Sequence, residues 1–347
     1  MRPLPSQPLR GLPVTSISIA QSTPTAAAIA AVVARHYAFG EAGECEFLRR
    51  SFNQVYGLRF GDGRRVVARL CAERPRGAPN TIYEAALLRH LRGRGIPVSA
   101  CLPSAAGEDS VMVLLPEGER ALMLFEYLEG DETGDAPEDI HAFGAGLAQL
   151  HDAASSYAGP PSRYALDLDY LVSRPLARTL QAPTMTDELR PQFQAIAARL
   201  RSRIEEMQGL TQVVCHGDSH GSNNFITADP HGRRVASFFD FDECGPGYLA
   251  YELAVYPWSL HPRSVDGQLS EKALDRWKRF LDAYRAVRPV AGQDVQALPA
   301  FISARQFWLM GEYAGRIPVW GSQAMPTSWL RRQVKMLTYW EEMTLPN

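Results

Sequence analysis

Cys215-His216-Gly217-Asp218-Ser219-His220-Gly221-Ser222-Asn223, with Phe238-Phe239-Asp240-Phe241-Asp242 soon after it, carries most of the information about how this chain folds. It follows an amphipathic run that predicts a helix, and its small, polar residues predict a loop. The apolar pair Phe238-Phe239 then predicts a strand that delivers Asp240. An Asp and an Asn five positions apart on one loop, with a second Asp brought beside them by the next hairpin, supply three chemical parts. Asp218 can accept a proton, while Asn223 and Asp240 offer hard oxygen ligands of the kind magnesium takes. Phosphoryl transfer needs those parts, because its transition state asks for in-line positioning and charge neutralisation more than covalent help. A second chemistry stays open on the same loop. His216, Asp218 and His220 form an H-x-D-x-H pattern that can chelate zinc, although no further His or Cys set stands nearby at ligand spacing.

His216-Gly217-Asp218 with Asn223, then Phe238 to Asp242, Gly245, Gly247 and Tyr251-Glu252-Leu253-Ala254, resembles the catalytic signature of the aminoglycoside phosphotransferase and choline kinase family. The two halves stand in the right order and spacing, which a lone H-G-D would not show. The resemblance implies an α+β, protein-kinase-like fold of two lobes with ATP and Mg2+ bound between them. The N-lobe would be an antiparallel sheet plus a helix, the C-lobe larger and mostly helical. It further implies Asp218 as catalytic base, Asn223 and Asp240 as metal ligands, and His216 as the residue packed beneath the catalytic loop. Glu252 stands where the family usually shows Asp, at a position that braces the loop.

Composition bounds the remaining possibilities. At 347 residues the chain is long enough for two lobes. A net charge of −2 and a pI near 6.5 argue against a general nucleic-acid binder, which would carry a basic stripe. Five scattered cysteines, Cys45, Cys71, Cys101, Cys215 and Cys244, read as reduced thiols in a cytoplasm. No apolar run is long enough to span a membrane. Residues 1–24 hold Pro3, Pro5, Pro8 and Pro13 and no continuous apolar core, which predicts a flexible leader rather than a signal peptide.

In the expected N-lobe, 25–130, an alanine-rich helix runs to Tyr37 with Thr23 or Thr25 at its start. A strand, a turn at Gly61-Asp62-Gly63 and a partner strand over 65–70 follow. Ser51-Phe52-Asn53 sits where the phosphate-covering loop of a kinase-like lobe should be, without a glycine-rich pattern. Phosphate contact there would come from Ser51, Asn53 and backbone amides. Arg69 is the basic residue expected to reach the ATP phosphates, where protein kinases place a lysine, and Glu84 on the helix 81–92 is its expected partner. Strands are predicted from 95–98, over 111–115 and over 121–127. Leu124 to Gly130 resembles the family's hinge, with Glu126 and Tyr127 against the adenine, and places the lobe boundary near 129–135.

The expected C-lobe, 131–347, opens with a helix start at Asp135-Ala136-Pro137-Glu138 and returns to helical spacing over 186–207, 270–285, 295–313 and 326–343. His151 reads as a structural hydrogen-bonder. The acceptor pocket of the family is built from C-terminal helices, which makes Glu312, Tyr313, Arg316 and Trp320 candidates, the last read as a loop aromatic between Pro318 and Gly321. Asp218, Asp242, Glu243 and Glu312 would answer an amine on the acceptor, and Arg316 a carboxylate. The function so implied is ATP-dependent transfer to a hydroxyl of a small molecule: an amino alcohol, a hydroxy amino acid or an aminoglycoside. Two alternatives stand beside it, a bacterial stress-response Ser/Thr protein kinase and a nucleotide-binding pseudokinase.

Overall fold

Residues 15–261 and 269–345 are described by the computed structural model. Thr25 caps the first helix, α1 (Ala26–His36), its side chain accepting from the Ala28 N–H. Then come β1 (Ala42–Arg50), β2 (Gln54–Phe60), β3 (Arg65–Leu70), α2 (Thr81–Gly93), β4 (Cys101–Leu102), β5 (Val111–Leu115) and β6 (Gly118–Glu126). The strands pair antiparallel in the order β1-β2-β3-β6-β4, with β5 also on β6. The strand expected from residue 95 is reduced to an isolated bridge at Val98, and β4 begins at Cys101.

Side chains along a strand alternate between the two faces of the sheet. Tyr56, Leu58, Phe60, Val66, Ala68 and Leu70 therefore turn one way and are buried with Ile29 and Val33 of α1. Val55, Val67 and Arg69 turn the other way and line a cleft. A register slip of one residue would carry Arg69 under α1, so the apolar pattern of β3 also places its cation.

Of the expected leader, residues 1–14 lie outside the described residues. Its last part is tied to the sheet: the Ser22 hydroxyl donates to Glu117 at 2.8 Å, and the Ser22 carbonyl accepts from Gln54 at 2.7 Å.

Beyond the sheet the chain forms β7 (Asp131–Glu132), α3 (Pro137–Ala154), a π-helical turn at Asp169–Ser173, α4 (Arg174–Leu180) and α5 (Arg190–Glu205). Next are β8 (Gln212–Cys215), β9 (Asn224–Ala228), β10 (Arg234–Phe238), β11 (Gly245–Tyr248), α6 (Leu249–Leu260), α7 (Glu271–Val287), α8 (Gly292–Trp320) and α9 (Thr327–Trp340). The α+β class is observed, with the sheet in the N-terminal part and helices dominating the rest. α3 and α7 pack closely enough that a Cβ on Gly144 would stand 2.4 Å from the Phe280 carbonyl oxygen, so glycine is required there. No helix among the described residues is long and apolar enough to cross a membrane.

One expected boundary is corrected. Trp320 is not on a loop but on the last turn of α8, which runs on through Pro318. A proline inside a helix removes one hydrogen bond while holding its own φ near the helical value. The stop is supplied by Gly321, at φ 81°, whose N–H reaches back to the Ile317 carbonyl.

Candidate active site

The hairpin of β9 and β10 pairs Asn224 with Phe238, and the Phe239 N–H donates to the Asn223 carbonyl at 3.1 Å. Asn223 and Asp240 are thereby set side by side on one edge of the cleft, as the sequence predicted. Asp240 has φ 63°, the one positive φ outside glycine among the described residues. Such a conformation is costly for a side-chain-bearing residue, and functional sites are where it tends to be kept. The Asn223 amide nitrogen donates to the Asp218 carbonyl at 2.9 Å, which leaves the amide oxygen as the atom that could serve a cation. The Asp240 oxygens have only long contacts, 3.5 Å to Arg69 and 3.9 Å to Arg49. Two hard oxygen donors with lone pairs to spare fit magnesium.

The loop between β8 and β9 is braced from below. Gly217 has φ +85°, and a Cβ on it would lie 2.3 Å from the Glu243 carbonyl oxygen, so no other residue fits. Its N–H donates to Glu252 at 2.9 Å, and Ser219 donates to the Glu252 carbonyl at 3.2 Å. Glu252 thus does the bracing expected of that position. His216 packs on Phe241 with 4.3 Å between rings, its Nε2 paired with the Phe239 carbonyl and its Nδ1 accepting from the Asp218 N–H. Both ring nitrogens are held by the backbone, so His216 is not presented with His220 to a metal, and the zinc pattern is not assembled. His151 is likewise internal, bonded to Tyr284 at 2.7 Å.

Arg69 and Glu84 form the expected pair, as a two-pronged contact with 2.9 Å on one prong, both side chains buried. Burial alone would lower the Arg69 pKa, but Glu84 outweighs it and keeps the guanidinium charged. Ser51 and Asn53 stand at the β1–β2 turn and line the cleft. Asn53 is committed elsewhere, however: its amide donates to Asp242 at 2.9 Å and accepts from the Ala72 N–H at 2.9 Å. Glu126 and Tyr127 line the same cleft, of about 690 Å³, with the Tyr127 ring under the Arg65 guanidinium.

At the other end the structure differs from expectation. Asp242, Glu243 and Glu312 are buried and already answered by arginines of the β3–α2 connection. Arg74 reaches Glu312 and Asp242, each at 2.9 Å, and also Glu243, while Arg76 reaches Asp242 at 2.8 Å and Glu243. Burial would raise the Asp242 carboxyl, yet Arg76 and Arg74 hold it far below the usual carboxylate range. Arg316 donates to the Phe52 carbonyl at 2.7 Å, and burial beside Arg74 brings its pKa down to about 10. Trp320 packs on Phe52, and Tyr313 on Trp320 and Trp329. Asp242 and Glu243 line the cleft; Glu312, Tyr313, Arg316 and Trp320 do not.

His220, Trp258, Ser259, Arg305, Trp308 and Leu309 line the cleft as well. Arg305, buried, is ion-paired with Asp218. Burial pushes the Asp218 carboxyl up, but Arg305 first and His220 second draw it below its usual value. A signal for these residues exists: Arg305, Trp308, Leu309, Glu312 and Arg316 follow helical spacing and form one stripe of α8. Glu312 and Arg316, the residues expected at the acceptor, are only the C-terminal half of that stripe. Arg74 and Arg76 carry no such pattern.

Residues 46–290 match the phosphotransferase enzyme family. An uncharacterised protein of Deinococcus radiodurans is 37% identical over 296 residues, 85% of this chain and 84% of its own length. A homoserine kinase of Xanthobacter autotrophicus is 30% identical over 218 residues, 61% of this chain and 62% of its own. Among solved structures, an amicoumacin kinase in complex with AMP-PNP and Ca2+ superposes with a TM-score of 0.69 at 18% identity, covering 89% of this chain and 92% of that one.

Proposed function

The chain belongs to the phosphotransferase enzyme family, and from that premise we propose that it transfers the γ-phosphoryl group of ATP, with magnesium, to a hydroxyl of a small molecule. The observation that carries this reading is the convergence on one cleft of Asp218, Asn223, Asp240 and the Arg69–Glu84 pair, drawn from separate parts of the chain. Asp218 takes the proton of the acceptor hydroxyl as that oxygen bonds to phosphorus and ADP leaves. Arg69, fixed by Glu84, holds phosphate oxygens, and the backbone of Ser51 to Asn53 covers them. Glu126 and Tyr127 flank the adenine. Magnesium, when bound by Asn223 and Asp240, supplies neutralisation of phosphate charge.

The acceptor reads as a small amino alcohol or hydroxy amino acid rather than a polycationic aminoglycoside. Each acid at that end, Asp218, Asp242, Glu243 and Glu312, already faces a buried arginine, so little negative charge is left over for several ammonium groups. The homoserine kinase among the relatives agrees with that class. The lobes are taken as 25–130 and 131–347. Five free cysteines support a cytoplasmic setting.

ADP release tests the reading. It should require magnesium, rise when a hydroxylated amine or amino acid is supplied, and stop on chelation. ADP release indifferent to every acceptor, protein substrates included, removes the small-molecule assignment.

A further inference from the structure

Arg305 is 87 residues away from Asp218 in sequence, yet its Nη2 donates to the Asp218 Oδ1. Its other terminal nitrogen donates to the Tyr251 hydroxyl at 3.1 Å and to the Gly217 carbonyl at 3.4 Å. The guanidinium lies 3.8 Å from the centre of the Trp308 ring and 4.8 Å from that of Trp258. The Arg305 side chain is 3% exposed, against 21% for Asp218. Such a cation is held through its two terminal nitrogens: two aromatic rings hold its plane, and the fork holds the carboxylate and the loop carbonyl together. His220 approaches the same Oδ1, at 3.7 Å.

We propose that Arg305 is a positioning residue for transfer: it occupies Oδ1 of Asp218 and thereby turns Oδ2 to the acceptor hydroxyl. The inference rests on the reading of Asp218 as the proton acceptor. In the step, the acceptor O–H bond breaks, its proton passes to Oδ2, the oxygen bonds to the γ-phosphorus of ATP, and the bond to ADP breaks. Arg305 contributes no atom to that exchange. It fixes the direction from which the carboxylate meets the hydroxyl, and small misplacements of a reacting group cost large factors in rate. The placement also joins two jobs on one rigid element, since α8 carries both Arg305 and the Trp308–Leu309 wall of the acceptor end. A purely structural brace would act through stability and leave the turnover of the folded protein alone.

The test is a cycle of Arg305→Met, Arg305→Lys and Asp218→Asn, with the double variant Asp218→Asn/Arg305→Met. kcat and the KM for ATP are read as ADP release with homoserine as acceptor and, separately, with water alone. Arg305→Met should lower kcat about a hundredfold with the KM for ATP within about twofold, and Arg305→Lys, which keeps charge but loses the fork, should recover part of it. In the Asp218→Asn background, removing Arg305 should cost nothing further. Parent-like kcat in a folded Arg305→Met, or an equal loss in the Asp218→Asn background, overturns the inference while leaving the base reading intact. Should Arg305→Met fail to fold, parent-like kcat in Arg305→Lys overturns it. Full turnover in Asp218→Asn, or a parent inert with both acceptors, removes the base reading and this inference together.

Discussion

Two sets of ion pairs stand by the cleft, one at its proposed nucleotide end and one at its proposed acceptor end, and they are built differently. At the nucleotide end Arg69 has one buried partner, Glu84, and still lies 3.5 Å from the Asp240 carboxylate, beside Arg49, which is largely exposed. Cation there is fixed in place but not used up. At the acceptor end Arg74 and Arg76 close on Asp242, Glu243 and Glu312, and every one of these side chains is buried. A charge with a single rigid partner can still meet a phosphate, whereas a saturated network mostly fixes shape. The first set is therefore suited to meeting a charged ligand and the second to fixing shape.

The largest effect belongs to the residue between the two ends. Asp218→Asn keeps the shape of the side chain and removes the proposed proton acceptor, so steady-state turnover should fall by about a hundred- to ten-thousandfold with magnesium-ATP affinity little changed. Loss of nucleotide binding in parallel with turnover would instead place Asp218 with the nucleotide end.

Next is the acceptor-end network, where removing Arg74 leaves three carboxylates short of a partner. Arg74→Met should lower the unfolding free energy by about 3–5 kcal/mol, measured by chemical denaturation. Arg69→Met should lower it by less, because it strands one buried carboxylate, Glu84, rather than three. Equal losses would erase the distinction between a wall and a binding site.

The smallest effect sharpens the nucleotide end itself. Arg69→Ala and Glu84→Ala should each weaken use of ATP, and the double variant should lose less than their sum by about 0.5–3 kcal/mol. Additive losses in kcat/KM for ATP would mean that the contact does not govern nucleotide use.

How far the two ends were legible in the sequence follows the same divide. The placement of Arg69, Glu84, Asn223 and Asp240 was readable because these residues obey local rules. The alternation of β3 turns Arg69 to the cleft, Glu84 opens a helix one connection later, and the β9–β10 hairpin fixes where Asp240 must stand relative to Asn223. The acceptor end was not. Arg74 and Arg76 sit in a connection without periodicity, and their partners come about 170 and 240 residues further along the chain by the simple order of pairing. Arg305 was missed for another reason. Its stripe on α8 is helical in period, but an arginine flanked by aromatics looks the same whether it faces solvent, core or a carboxylate. Trp320 shows the reverse error: the helical spacing predicts an end at Tyr313 and a loop at Trp320, whereas α8 runs on to Trp320 and stops at Gly321.

Phosphoryl transfer to a small alcohol in this cleft can be watched by phosphorus-31 NMR of a single reaction. Protein, ATP and magnesium are mixed with homoserine and a set of amino alcohols, and the fate of the γ-phosphorus is followed. The expected result is a new phosphomonoester resonance on one of these acceptors, growing as ADP accumulates and absent when magnesium is chelated. Bound ATP that persists unchanged, or a γ-phosphorus that appears only as inorganic phosphate whatever acceptor is present, would contradict it.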